Sequence, residues 1–538
     1  MRRWNGWGDD ATSMDLNAGA RAMMNARLGP GLPGRDVRRE EILAQVPPSR
    51  LPAHALIQTD ASTRFSMALG ESFADWLRKR FGALPPVPDG VAFSESAEQV
   101  RELLDLAQEC NWIVIPFAGG TSVAGHLDCP ISDRPILSIN LSRMNRLLHL
   151  DKASQLATFG AGTPGPLVEA QLRAHGYTLG HFPQSFEYSS VGGWVVTRSS
   201  GQQSLRYGRI EQLFAGGRLE APVGTLTIPT VPAASAGPDL RELVMGSEGR
   251  FGILTEATVR VSPLPEHESF HAVFFPHWDA AEVAVRALVQ RKLPLSMLRL
   301  SNGIETETNL TLAGHARLIG WLERYLSWRG CAQGKCMLML GVTSDTRTAR
   351  HALREARRLL ARFGAVYVGR AMGDKWSANR FKGPYLRNTL WELGYSADTI
   401  ETAVDWPQVK NLMLAMEQAA RDVFAQYGER VHAFTHLSHL YPQGSSIYSQ
   451  FVWVTAPGGF APNLERWQRL KAAVAAAIAA HGGTVSHQHG VGRDHAAYLS
   501  SEKGTLGMAT LAQLCRHFDP KKIMNPGKLL QDEGPWAS

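Results

Sequence analysis

Histidines crowd the last quarter of the chain: His432, His436, His439, His481, His487, His489 and His495, with His517 beyond them. Imidazole titrates near neutrality and can move a proton, hold a metal or donate to an anion. His487 and His489 are two residues apart, so on a strand they share one face, and Gly490-Val491-Gly492 would end that strand where a ligand comes close. Spacing leaves three readings open: a polar pair lining a pocket, a metal site completed from His436-Leu437-Ser438-His439, or hydrogen-bonded structural residues. Tyr448, in SSIYSQFVWV, falls on a predicted strand and faces either the core or a pocket. A phenol ionises near pH 10, so a base role needs cations or donors nearby (about 10 is the unperturbed value). Arg387, in PYLRNTL, with Arg380 and Lys382 close by, supplies such charge or grips a phosphate or carboxylate with its planar fork; the plain alternative is a solvated helix face.

A second set of residues points to a large anionic cofactor. Three glycine segments follow in order: PFAGGTSVAG from Pro116, PQSFEYSSVGGWVVTRSSG from Pro183 and MGSEGRFGILTEATV from Met245. Glycine tolerates positive φ and has no Cβ, so such a turn can aim successive N–H groups at a phosphate, and Thr121 and Ser122 add hydroxyl donors. One Gly-Gly pair alone would be a tight turn. No G-x-G-x-x-G lies between a strand and a helix with an acid about 20 residues on, and no G-x-x-x-x-G-K-[ST] occurs, which argues against a Rossmann site and against an NTPase.

The elements that must position these residues follow from periodicity. Residues 1–90 are rich in Arg, Pro and Gly around short helical patterns such as Phe73 to Phe81, and read as a wrapping segment. Ser96 with Gln99 predicts a capping box, with Val100, Leu103, Leu104 and Ala107 on one helical face and a buried strand from Trp112 running into the first glycine loop. Further strands are expected at Leu137 to Leu141 and Leu156 to Phe159, and Thr255 to Pro263 alternates with Ala257, Val259 and Val261 inward. Residues 91–265 thus form the cofactor domain. Strands at Phe270 to Phe275, Cys336 to Val342 and Ala365 to Val368, interleaved with helices Asp279 to Val289 and Thr348 to Phe363, describe an α/β substrate domain over 266–483. Residues 484–538 read as a tail returning to the cofactor domain.

At 538 residues the chain exceeds one hydrophobic core, and 44% apolar with 20% charged residues is ordinary globular composition. A formal charge of +7 without basic blocks favours an anionic cofactor or substrate, or a loose contact with an anionic membrane, over nucleic acid, for which no motif is present. Five cysteines without a C-x-x-C pair fit a reducing compartment. No secretory h-region and no run of 18 apolar residues is found, so a cytoplasmic enzyme is the simplest class; peripheral membrane contact and homodimerisation stay open. Ala472 to Ala480 reads as a helix ended by Gly482-Gly483.

The glycine segments resemble the FAD-binding domain of the vanillyl-alcohol oxidase/p-cresol methylhydroxylase superfamily. The wider set resembles the alkyldihydroxyacetone-phosphate synthase family over nearly the whole chain: WNGWG at Trp4 to Gly8, PFAGGTS, GHFPQSFEYSSVGGWVVTRSSG, GPDLRELVMGSEGRFGILTEA, YLR then ETAVDW, HLSHLYPQGSSIY, GGTVSHQHGVG and NPGKLL. The resemblance implies an α+β fold: a two-subdomain PCMH-type FAD-binding domain, a cap domain with an antiparallel sheet, and helical terminal segments. It implies noncovalent FAD held by Pro116, Phe117, Ala118, Gly119, Gly120, Thr121 and Ser122, by Gln184, Ser185, Ser189, Ser190, Gly193, Thr197, Arg198, Ser199 and Ser200, and by Glu248, Gly249, Gly252 and Ile253. It also implies that a lipid-like phosphate ester exchanges its acyl group for a fatty alcohol without net redox change. Tyr448 then takes the C1 proton, Arg387 contacts substrate, His487 and His489 help bind phosphate, and His181 lies near the flavin. The same scaffold oxidising a 2-hydroxy acid is the main rival. No His-x-Gly-Asp-Gly-Asn stretch occurs, which weakens the metal reading. Where the eukaryotic family members read His-His-His, this chain has His487-Gln488-His489, and it ends Trp-Ala-Ser, not Ser-Lys-Leu.

Overall fold

The structure, a computed structural model, describes residues 2–34 and 36–531; the Trp536-Ala537-Ser538 end lies outside the described residues. Two large apolar cores organise it, one under the glycine loops and one under the histidine-rich region.

The first core joins two sheets. In the smaller, strands run in the order Ile57–Gln58, Gly90–Phe93, Ile136–Asn140, Ile113–Phe117, the last three parallel. The larger is antiparallel, in the order Leu147–Asp151, Leu156–Gly160, Ile253–Arg260, Phe214–Ala221, Gly224–Ile228. Helix Ala97–Glu109 covers them with the expected face of Val100, Leu103, Leu104 and Ala107. Its cap differs from the expected box. Ser96 accepts from the Gln99 amide at 3.3 Å, but the Gln99 side chain reaches one residue too far back, to the N–H of Glu95 at 2.8 Å. Strand Ile113–Phe117 delivers the chain directly into Gly119-Gly120 at the carboxyl end of a parallel pair. From the far terminus, residues 523–525 bond back to this strand, Val114 N donating to Ile523 O and Asn525 N to Val114 O, both at 2.8 Å.

The second core lies under a seven-stranded antiparallel sheet. Its order is Val366–Gly369, His267–Phe275, Cys336–Ser344, Met297–Ser301, Val431–Leu437, Gly444–Val454, Tyr395–Asp405. Alternation along a strand sends successive side chains to opposite faces. Leu338, Leu340 and Val342 therefore join Leu298 and Leu300 against helices Trp278–Gln290, Thr346–Ala361, Trp406–Ala425 and Phe460–Ala480. Met337, Met339, Met297 and Arg299 take the opposite face, and it is that face that lines the site.

The amino-terminal segment does more than wrap. It supplies the edge strand Ile57–Gln58, and helix Ala18–Leu28 packs Ala20, Met24 and Leu28 against Tyr395, Phe434 and Val452 of the large sheet. Trp7 is pinned by Asn388, whose amide accepts from the Trp7 N–H at 3.0 Å and donates to the Trp7 carbonyl at 2.9 Å. No helix among the described residues is long and apolar enough to cross a membrane.

Candidate active site

One cavity of about 1090 Å³ runs between the glycine loops and the open face of the large sheet. All of Pro116 to Ser122 line it, as do Gln184, Ser185, Ser189, Ser190, Gly193, Thr197, Ser199, Ser200, Glu248, Gly249, Gly252 and Ile253. The loops meet only because they carry glycine. A Cβ on Gly119 would run into the Tyr188 carbonyl, and Gly252, at φ +147°, would drive one into the Glu220 carbonyl. Ser200 Oγ, Gln202 Oε1 and Asn525 Oδ1 are buried in this wall with no partner among the described residues. Each such group costs about 1–3 kcal/mol unless a ligand bonds it, which fits a cofactor rich in donors and acceptors.

Glu248 is partly an internal clamp. Its carboxylate accepts from the N–H groups of Val491 at 2.5 Å and Gly492 at 2.7 Å, and lies 3.2 Å from His126 Nε2, whose Nδ1 is 2.6 Å from Ser122 Oγ. The first loop, the third loop and the histidine segment are thereby tied together. Three expected residues fall outside the cavity wall: Arg198, His181 and His487. Arg198 turns outward to Glu242 at 2.5 Å and Glu211 at 3.6 Å. His181 stands one layer back, its Nε2 2.8 Å from Ser199 Oγ and its ring 4.9 Å from Trp194. Burial pulls His181 down to about 3, so it is a neutral support for Ser199 and not a proton carrier.

Tyr448, on the expected strand, points into the cavity. Its hydroxyl donates to Thr399 Oγ1 at 3.1 Å, and burial pushes it up to about 12 despite that bond. The neighbouring strands place His436 and Glu401 directly opposite it. His436 stacks on the phenol ring at 4.9 Å and 23°, while His489 meets its edge at 5.8 Å. Arg387 is not on a solvated face. It is half-buried, 4.5 Å from the Trp76 ring and 5.6 Å from the Phe73 ring, with Nη1 donating to the Glu71 carbonyl at 2.9 Å. Its Nε and Nη2 are buried with no partner among the described residues, and the residue borders the cavity, so the guanidinium has two donors to spare for an anion.

The histidine segment departs most from expectation. Residues 484–489 form bends, not a strand, because they wrap around one carboxylate. Glu401 accepts from the N–H groups of His487 at 3.0 Å, Gln488 at 3.0 Å and His489 at 3.2 Å, and from Ser486 Oγ at 2.9 Å. Successive N–H groups converging on one anion make a nest, whereas a strand would send them to opposite sides. The two histidines therefore part company. His489 and Gln488 line the cavity, but His487 faces Tyr441 (2.7 Å) and Arg209 (3.1 Å) behind the wall, so its place is structural. Burial and Arg209 hold His487 well below the usual imidazole range, and burial lowers His489 against the pull of Glu401. Among the described residues, no three His, Cys, Asp or Glu side chains are grouped to hold a metal ion.

Sequence reasoning missed a buried polar cluster beside Tyr448. Glu305 Oε1 accepts from Arg299 at 2.7 Å and Gln450 at 3.2 Å and lies 3.0 Å from His436 Nδ1. The available signal was Arg299, a cation inside the apolar strand MLRLS. It also missed the far arm of the cavity, where Met23, Met24, Leu312, Ile319, Leu322, Met337, Met339, Met372 and Trp376 make an aliphatic channel.

Comparisons with known proteins agree with this geometry. Residues 88–228 match the family described as FAD binding domain, and residues 264–529 match FAD linked oxidases, C-terminal domain. An alkyldihydroxyacetonephosphate synthase of Trypanosoma brucei brucei is 28% identical over 98% of this chain and 92% of its own. An uncharacterized FAD-linked oxidoreductase of Escherichia coli (strain K12) is 26% identical over 82% of this chain and 89% of its own. A solved alkyldihydroxyacetonephosphate synthase superposes with a TM-score of 0.84 at 25% identity, covering 98% of both chains. A p-cresol methylhydroxylase shares the fold, with a TM-score of 0.65 at 13% identity over 88% of this chain and 94% of its own. FAD is the cofactor of this site.

Proposed function

We propose that this chain, a member of the FAD-linked oxidase superfamily, replaces the acyl group of a long-chain acyl-dihydroxyacetone phosphate with a fatty alcohol, making an ether. One observation carries the reading: glycine loops, a guanidinium with unpartnered donors and an apolar channel line the same cavity as Tyr448. A small 2-hydroxy acid would use the first two and leave the channel without purpose. The balance is an exchange. A C1–O bond to the acyl group breaks, a C1–O bond to the alcohol forms, a fatty acid leaves with the alcohol's proton, and the C1 proton removed early is returned. When bound, FAD supplies an electron-poor ring at which the substrate carbon can be held while the acyl oxygen departs.

The protein's own groups divide the remaining work. The loops from Pro116 to Ser122, Gln184 to Ser190, Thr197 with Ser199 and Ser200, and Glu248 to Ile253 hold the cofactor. Arg387 receives the substrate phosphate, its fork matching two phosphate oxygens. Tyr448 exchanges the C1 proton. Held at about 12 it is a phenol at neutral pH, so it must pass its own proton on before accepting another, and the imidazole of His489 meets the edge of its ring. Gln488 borders the cavity but can only hydrogen-bond. The channel shields the hydrocarbon chain from water, worth about 0.8 kcal/mol for each methylene buried.

The test adds palmitoyl-dihydroxyacetone phosphate to anaerobic FAD-loaded protein before any alcohol, following the visible spectrum and free palmitate. Loss of the oxidised-flavin bands with palmitate release, then recovery on adding hexadecanol, is the expected result. A spectrum and a palmitate signal that both stay flat would defeat the reading, as would bleaching by 2-hydroxy acids alone.

A further inference from the structure

The buried cluster beside Tyr448 has the architecture of a second acid–base site. His436 sits on strand Val431–Leu437 and faces the cavity. Its Nδ1 is 3.0 Å from Glu305 Oε1, on helix Gly303–Leu312, and 3.2 Å from Arg299 Nη2, and among the described residues no protein group bonds its Nε2. Arg299 Nη2 donates to Glu305 at the shorter distance of 2.7 Å, which leaves the carboxylate as the nearer partner of Nδ1; with Nδ1 as the N–H the Nε2 lone pair is directed outward, the arrangement that makes an imidazole a general base and then shelters the imidazolium. Glu305 is itself anchored by Arg299 and Gln450. The charged and titratable groups facing His436 are Glu305, Arg299, Tyr448 and, more distantly, His439. Burial, together with Arg299, lowers the imidazole below its ordinary value against the opposing pull of Glu305, so it is neutral and able to accept a proton at pH 7.

Position decides which proton. His436 packs on the phenol of Tyr448 and contacts Glu305, whose helix continues along the cavity wall through Thr308 and Leu312. A hydroxyl at the head of a chain lying in the aliphatic channel meets His436 on its way to the carbon at Tyr448. Gln488, the cavity-lining residue of the His487 turn, cannot take that proton. We propose that the Glu305–His436 pair is the general base that deprotonates the incoming alcohol, with His436 as the catalytic residue and Glu305 as its positioning residue. This inference rests on the ether-forming reading above. The alcohol O–H bond breaks as its oxygen forms the bond to C1, the proton goes to His436 Nε2 and from there to solvent, where it balances the carboxylate released in the earlier half-reaction; no oxidant or reductant is consumed.

His436→Asn keeps an amide able to donate to Glu305 and removes the Nε2 lone pair. The expected result is palmitate release within about threefold of the parent enzyme and ether formation reduced at least about 100-fold, the scale of a lost general base. Glu305→Gln should move the acid limb of the pH profile for ether formation to lower pH, because the imidazolium loses its counter-ion. In ¹⁵N-histidine spectra of the FAD-loaded protein, the signals absent from His436→Asn should be those of a protonated Nδ1 and a bare Nε2. Ether formation at the parent rate in His436→Asn, a parallel fall in both half-reactions, or an Nε2-protonated tautomer would overturn the proposal. Retained flavin absorbance in both variants certifies folding, and the tautomer judges the pair even if one variant fails to fold. If the parent enzyme releases no palmitate, the ether-forming reading itself has failed, a distinct outcome.

Discussion

Replacing Arg387 with Met should weaken anion binding severely while leaving the resting protein as stable as before or more so. The guanidinium makes one hydrogen bond, to the Glu71 carbonyl, and two ring contacts, but its Nε and Nη2 are buried and unsatisfied. Losing the bond and the cation–π contacts costs about 2–4 kcal/mol. Relieving two unmade hydrogen bonds returns about 2–6 kcal/mol, and methionine refills most of the volume between Trp76 and Phe73. The resting balance is therefore neutral to mildly favourable. With an anion in the fork, the sign reverses, because truncating one side of a buried charged pair costs about 2–5 kcal/mol, or roughly 30- to 5000-fold in affinity. The assay is thermal unfolding of FAD-loaded protein with and without dihydroxyacetone phosphate, which carries the anion and no chain. At a hundred times its Kd the ligand should stabilise the parent protein by about 2.7 kcal/mol, a rise of roughly 2–3 °C for a chain of this length. Arg387→Met should show no rise. An undiminished ligand shift, or a resting Tm lowered by more than about 3 °C, would refute the reasoning and make the arginine a structural residue.

Other consequences follow from the same geometry. Glu401→Gln should lower stability by about 2–4 kcal/mol, since three backbone donors lose a charged acceptor, and cut ether formation at least tenfold while FAD remains bound; calorimetry and the flavin spectrum check both. His181, His432 and His439 are held at about 3 by burial, so the folded state binds fewer protons than the unfolded state between about pH 6.5 and 3. Stability should be full above pH 6.5 and fall on acidification, by up to about 2 kcal/mol per histidine at pH 5, which a Tm series in buffers from pH 7.5 to 5 will show or deny. Met339→Trp, intruding on the aliphatic channel, should shift preference from hexadecanol to shorter alcohols with little effect on dihydroxyacetone phosphate binding; an unchanged chain-length profile would remove the channel from the account.

The sequence was most legible where the constraint is local. The requirement for glycine at Gly119 and Gly252 is written in a few consecutive residues, and the helix face of Val100, Leu103, Leu104 and Ala107 comes from its own period. Tyr448 could be placed on a strand for the same reason. Errors arose where a distant residue decides. His487 and His489 have the spacing of a strand face, but Glu401, 86 residues before His487, gathers their N–H groups into a turn and sends His487 behind the wall. Arg198 sits inside a segment that lines the cavity yet answers to Glu242 and Glu211. His436 stands out among the histidines, but its partner Glu305 lies 131 residues away and the pairing is invisible until adjacent strands and a helix bring the two together.

The most direct measurement of the central claim is a multiple-turnover reaction without oxygen or any electron acceptor, containing FAD-loaded protein, palmitoyl-dihydroxyacetone phosphate and hexadecanol. The account predicts hexadecyl ether and palmitate in equal amounts, many turnovers per flavin, and oxidised flavin at the end. Reduction of the flavin after a single turnover, with no ether formed, would contradict it and assign the site to oxidation.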